Sequence, residues 1–284
     1  MTTWRLWQAL RTPPSEHPIF QRMVSPYYDD IRWVLVAQNV LIQGQIWFWS
    51  LIFVFDTRAL ILMILSGTLY GMIWAIIVSG TIAIEREYRM YDLLCLSPSG
   101  TLGISWAICM GCLHRNRTFE HVNSQESWSI RIILFIPLVI SANVLLGRMF
   151  SNPGSITAIW LAAFLAVFYL DHVQSIIFGS LFGVLAPHYA SNRFDSRLWA
   201  CTGFLLVQCS SYLMLFATSA FFLPALYKAM GISGWAAEIS LPLLSVAAFY
   251  FLREIIMARL WHLVTEQLNA APVDLDLMFQ QVPS

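Results

Sequence analysis

ALILMILSGTLYGMIWAIIVSGTIAI, residues 59–84, runs without one charged side chain. As a helix it would extend about 39 Å at 1.5 Å per residue, more than the roughly 30 Å of a bilayer's hydrocarbon core. Gly67, Gly71 and Gly80 offer places where a neighbouring helix can approach closely. Asp56-Thr57-Arg58 stands before the stretch and Glu85-Arg86-Glu87 after it, so charge returns at both ends. The stretch reads as a membrane span, and the rest of the chain is read outward from it.

Composition agrees. Of 284 residues, 58% are hydrophobic and 11% charged, with a mean hydropathy of +0.66. Ordinary globular domains carry about 25% charged residues. A soluble core of this size could not hide so much apolar surface, whereas lipid solvates it directly. Formal net charge is zero, so no basic field attracts nucleic acid. The cysteines (Cys95, Cys109, Cys112, Cys201, Cys209) lie in or beside apolar segments and read as reduced, small apolar residues. The first residues hold no continuous apolar run, so no cleavable signal peptide is expected there.

Applied along the chain, the same reading gives an all-α membrane protein of six transmembrane helices. Spans are expected at about 33–55, 59–84, 130–148, 156–187, 198–223 and 235–258, within a transmembrane domain of residues 33–261. Residues 1–32 form a cytoplasmic segment, read either as a short amphipathic surface helix over 19–24 or as a soluble cap. Residues 85–128 form a polar inner loop with a mixed helical pattern. Residues 224–234 could re-enter the membrane, and residues 262–284 form a polar cytoplasmic tail. The first span carries Gln38, Asn39, Gln43 and Gln45, amides that should face other helices. The fourth is interrupted by Asp171-His172 and reads as one long, possibly broken helix.

Arginine placement orients the chain. With the N-terminus inside, thirteen basic residues fall on the cytoplasmic side, and only Arg58, Arg148 and Lys228 fall outside. Both termini are then cytoplasmic, as expected for a multi-pass protein of the cell membrane.

The stretch after the second span carries the functional signal. Glu85-Arg86-Glu87 is followed by Tyr88, Arg89, Met90 and Tyr91, then Asp92-Leu93-Leu94-Cys95-Leu96 and Ser97-Pro98. Read on its own, this is a short amphipathic helix with charge at its start. Met90, Leu93, Leu94 and Leu96 make its apolar stripe, and Pro98 and Gly100 end it. Such a helix at the inner membrane face could dock into a groove of a soluble partner.

The pattern resembles the membrane subunit of type-2 ABC transporters, mostly exporters. That family places a Glu-Arg-Glu run, Gly-Thr, an acidic residue with leucines, and Thr-Pro after its second span. Glu85, Arg86 and Glu87 match the first element, Asp92-Leu93-Leu94 the third, and Ser97-Pro98 stands for Thr-Pro. His17-Pro18-Ile19 with Arg22 is similar to the family's N-terminal Asn-Pro element. The chain departs from the pattern at Arg89-Met90 or Tyr91, in the region where the family has Gly-Thr. It also lacks the Gly-Lys that follows the proline, with Gly111-Cys112 the nearest echo.

The resemblance implies a permease subunit with a cytoplasmic coupling helix between the second and third spans. Glu85, Arg86, Glu87, Asp92, Leu93, Leu94 and Pro98 would contact a separate ABC ATPase subunit. A second permease copy or a paralogue would complete the transmembrane unit. The alternative function is a structural or anchor subunit of a membrane complex without transport activity. No Walker A loop is present, because the only lysine, Lys228, is followed by Ala229. The chain is therefore not expected to be an enzyme or to bind a cofactor, and ATP would be bound by the partner.

Other residues carry weaker signals. Asp171, His172, Gln38, Asn39 and Gln43 form a possible intramembrane polar site, since ionisable groups at membrane depth are costly. Arg253-Glu254 reads as an interfacial ion pair. Cys109-Met110-Gly111-Cys112-Leu113-His114 misses the haem-attachment spacing by one residue, and no metal site is expected.

Overall fold

The computed structural model describes residues 2–15, 17–24, 58–95, 100–115, 155–231 and 235–270. The first and third expected spans, Gln38, Asn39, Gln43 and Pro98 lie outside the described residues. Among these, the regular structure is helical, with no strand.

The helices are α1 (Thr2–Arg11), α2 (Pro18–Val24), α3 (Arg58–Glu87), α4 (Met90–Cys95), α5 (Gly100–His114), α6 (Ser155–Leu185), α7 (Arg193–Ala217), α8 (Leu223–Ala229) and α9 (Trp235–Gln267). A 3-10 turn, Ala186–His188, ends α6, and a π-helical turn, Thr218–Phe222, joins α7 to α8. Four helical stretches are long and apolar enough to cross a membrane: Gly67–Glu87, Tyr169–His188, Arg193–Ala229 and Ser240–Gln267.

Close approach of α3 and α6 organises these stretches. Gly67 and Gly71 on α3, and Gly179 and Gly183 on α6, are each spaced four apart, which lines one small-residue stripe along each helix. Any Cβ at Gly179 would lie 3.0 Å from the Cα of Gly71, and one at Gly183 would lie 2.6 Å from the Cβ of Val78. Gly67 lies at the level of His172, Gly71 at Gly179 and Val78 at Gly183, so the two helices run parallel. Helix α7 runs the other way along α3: Thr68 meets Tyr212 near one end and Ser79 meets Ser196 near the other.

The inner pair α3 and α6 is buried over most of its apolar length, while α7 and α9 expose most of theirs. Leu206, Leu213, Phe216, Leu243, Phe251 and Ile255 all point outward. In water such faces would be a liability, but hydrocarbon solvates them.

At one end of the bundle α2 packs on α5, with Met23 against Gly111 and Phe20 edge-on to His114 at 6.1 Å. Helix α1 buries Leu6, Trp7 and Leu10. It lies against α6 and α9. Helix α7 starts at Asn192, whose side chain accepts from the Asp195 N–H at 2.8 Å, while Asp195 accepts from Ser191 and Asn192. That reciprocal cap satisfies donors that the first turn leaves open.

Several expectations are corrected. The N-terminal segment is not a soluble cap: the short amphipathic helix expected over 19–24 forms as α2 with Ile19, Phe20 and Met23 buried, and a second helix, α1, precedes it. The loop expected to be polar contains α5, buried from Ile104 to Leu113. The Asp171-His172 pair does not break α6, which runs as one long helix from Ser155 to Leu185, with Asp171 Oδ1 held by α7 and α9. Residues 224–229 continue the helix begun at Arg193 instead of re-entering; the π-turn accommodates Pro224, which has no N–H to donate. The tail begins later than residue 262, since α9 runs to Gln267 and Leu268 is buried.

Gly179→Val should drive a side chain into the Gly71 backbone. We expect a loss of about 2 kcal/mol or more of stability, read as a lower midpoint in thermal unfolding of the detergent-solubilised protein.

Candidate functional site

The polar groups of the transmembrane bundle converge on Asp171. Its Oδ1 accepts from Arg253 Nη1, from the Tyr212 hydroxyl at 2.8 Å and from Gln208 Nε2 at 3.1 Å. Arg253 Nη2 donates to Gln208 Oε1 at 2.8 Å and to Ser175 Oγ at 3.1 Å. Thr68 joins through Tyr212 at 2.9 Å. The guanidinium lies between Phe178 and Phe249, 5.1 Å from each ring centroid. Arg253 and Asp171 are 0% and 1% exposed, so water screens neither.

Two charges at this depth are tolerable only because each meets the other and several dipoles besides. The cluster draws residues from α3, α6, α7 and α9, and it therefore sets the register of all four. His172, predicted beside Asp171, turns to α3 and meets the Tyr70 ring edge-on at 5.9 Å. Sequence reasoning missed Thr68, Ser175, Gln208 and Tyr212. A signal for them exists: Asp171/Ser175 and Gln208/Tyr212 are polar pairs four apart inside apolar spans, so each pair shares a helix face. Arg253 and Glu254 were expected to pair with each other. They point to different partners instead: Arg253 to Asp171, Glu254 to the backbone at Thr2 and Thr3.

The Glu85-Arg86-Glu87 run reaches three elements. Glu85 is buried and takes Arg22 of α2 at 3.3 Å. Arg86 donates to the Pro187 carbonyl at the end of α6, and its guanidinium lies 5.6 Å from the Tyr91 ring centroid. Glu87 accepts the Arg193 N–H at 3.0 Å, at the start of α7. There its charge also complements the helix dipole.

Beyond the run, Arg89 adopts φ +55°, in the left-handed region. A side chain in that region costs about 1 kcal/mol or more. The bend starts α4. Tyr91 anchors that helix inward, its hydroxyl 2.7 Å from Ser105 Oγ on α5 and its ring edge-on to His188 at 6.4 Å. Tyr88, Met90, Asp92 and Leu93 face outward, and Leu94 is half-buried. Tyr88 is 72% and Leu93 67% exposed, the largest uncovered apolar area on this turn. Burial pushes the Cys95 thiol up. Among the described residues no cluster of three metal-ligating side chains occurs, and the Cys109 and Cys112 thiols turn to Ser180 and Thr81.

No protein-family profile, curated protein or solved structure matches this chain.

Removing one member of the buried pair leaves the other uncompensated. Asp171→Asn or Arg253→Met alone should cost about 3–5 kcal/mol, and the double variant less than the sum of the two. A double-mutant cycle on unfolding in mixed micelles measures the coupling. Burial pushes Tyr91 from 10 up to about 12. Its folded form therefore favours the neutral hydroxyl, so the stability it contributes is complete below pH 10 and is lost as pH rises through about 12. Subtracting the 295 nm titration of Tyr91→Phe from that of the wild type should show one tyrosine ionising near pH 12.

Proposed function

We propose that this chain is the permease subunit of an ATP-driven transporter of the type-2 ABC kind, acting as an exporter. A separate ATPase subunit would supply the nucleotide site, and a second permease copy or a paralogue would complete the path through the cell membrane.

One observation carries this reading. A short helix, α4, stands at the exit of a long apolar helix and is held from below by Tyr91. It offers Tyr88, Met90 and Leu93 to a partner. The Glu85–Glu87 run immediately before it contacts α2 and the ends of α6 and α7, so a push on α4 reaches the bundle through direct contacts. Arg86, Arg89, Arg193 and Arg197 gather at this end, which supports placing it in the cytoplasm. Glu85 is turned inward and Arg86 and Glu87 are engaged within the chain, so the partner surface is drawn from Tyr88, Met90, Asp92 and Leu93. In this reading, ATP-driven closure moves α4 and shifts the population between inward and outward states of the bundle.

A second reading also has an observation in its favour. The Asp171–Arg253 cluster ties α3, α6, α7 and α9 together, as in a subunit that holds a complex together without conducting anything. Affinity purification decides between them. The transporter reading expects a co-purifying protein with a Walker A loop, lost on Tyr88→Asp plus Leu93→Asp while membrane insertion persists. Recovery of an assembly without any ATPase would select the anchor.

A further inference from the structure

We infer that α1 is a latch on α9, held by Glu254, whose engagement is tied to the buried Asp171–Arg253 pair. Glu254 grips the first turn of α1. Its Oε1 accepts from the Thr2 N–H and, at 3.4 Å, from the Thr3 N–H. Its Oε2 accepts from the Thr3 N–H at 3.3 Å and from the Thr3 hydroxyl. The first N–H groups of a helix have no partner within the helix, and a carboxylate satisfies them while complementing the dipole. The contact crosses nearly the whole chain and joins the first described helix to the last described one.

The other end of α1 is pinned as well. The Leu10 carbonyl meets His114 Nε2 of α5 at 2.9 Å. Between the two pins, Leu6, Trp7 and Leu10 form the buried face. A helix of ten residues is marginal in water by itself, so α1 depends on these contacts. Losing the grip of Glu254 should therefore unravel α1 more readily than displace it whole.

The tie to the buried pair is covalent and geometric. Arg253 and Glu254 are consecutive, and successive positions on a helix point about 100° apart. One faces into the bundle and holds Asp171; the other faces α1. A turn of α9 large enough to withdraw Arg253 from Asp171 also carries Glu254 off the Thr2–Thr3 turn. The two contacts belong to one orientation of α9, and α1 reports and reinforces that orientation. None of this rests on the transporter reading, and it holds for an anchor subunit equally.

Hydrogen exchange on the full-length protein in phospholipid nanodiscs tests it. The readout is exchange of residues 2–11, with residues 71–83 as internal reference. Glu254→Ala should raise exchange at 2–11 about tenfold, as loss of a helix cap does, and Glu254→Gln should raise it less. Asp171→Asn should raise it too, although Asp171 bonds to no residue of α1. Unchanged exchange in Glu254→Ala overturns the latch. A rise in Glu254→Ala without one in Asp171→Asn overturns the tie. If the reference also loosens, a disulfide between Thr3→Cys and Glu254→Cys in the Asp171→Asn protein decides. The bond restores protection of 2–11 if the latch holds, and exchange that stays high overturns it.

Discussion

Everything in the transmembrane bundle is arranged around one ion pair that hydrocarbon would otherwise forbid. A carboxylate and a guanidinium at membrane depth cost several kcal/mol each to dehydrate, and only mutual contact with added hydrogen bonds offsets that. Asp171 and Arg253 meet this condition through Ser175, Gln208, Tyr212 and Thr68, and through the faces of Phe178 and Phe249. Four helices must therefore stand at fixed heights relative to one another. Apolar contacts alone would leave that height poorly specified, because one lipid-facing leucine serves as well as the next. The pair is read as a register device, the best-attested use of buried charge.

Glycine makes the register attainable. Asp171 sits directly against Gly67, and the α3–α6 backbones touch at Gly71 and Gly179. Were either stripe larger, the helices would separate and Thr68 of α3 would be drawn away from Tyr212 and Gln208 beside the carboxylate. The small residues and the ion pair thus depend on each other. Close backbones bring the polar groups within reach, and the polar groups keep the helices from sliding.

Much of the helical framework was legible in the sequence, because uncharged runs longer than a bilayer allow few other readings. The spans at 59–84, 156–187, 198–223 and 235–258 fall within α3, α6 with its closing 3-10 turn, the α7–α8 run and α9. What misled the reading was local. Asp171-His172 looked like a break, since one chain in isolation shows no partner for a buried carboxylate, and the partner lies 82 positions away at Arg253. Helix α5 was hidden because its sequence has almost no amphipathic asymmetry: it is buried on all sides, and periodicity cannot flag such a helix. The Glu85-Arg86-Glu87 run was noticed for its charge. Its contacts with α2, α6 and α7 could not be foreseen, since only tertiary packing decides which way each side chain turns.

The unbroken run from Arg193 to Ala229 has a bearing on the surrounding lipid. At 37 residues it is about 55 Å long, nearly twice the hydrocarbon thickness of an ordinary bilayer. Tilting, protruding or locally thickening the lipid are the ways to accommodate such excess length. Tilt would act where Gln208 and Tyr212 cross the ion pair, near the middle of the run. In a bilayer, acyl-chain length would thereby be a mechanical input to the centre of this protein, thin membranes leaning the helix over and thick ones standing it upright.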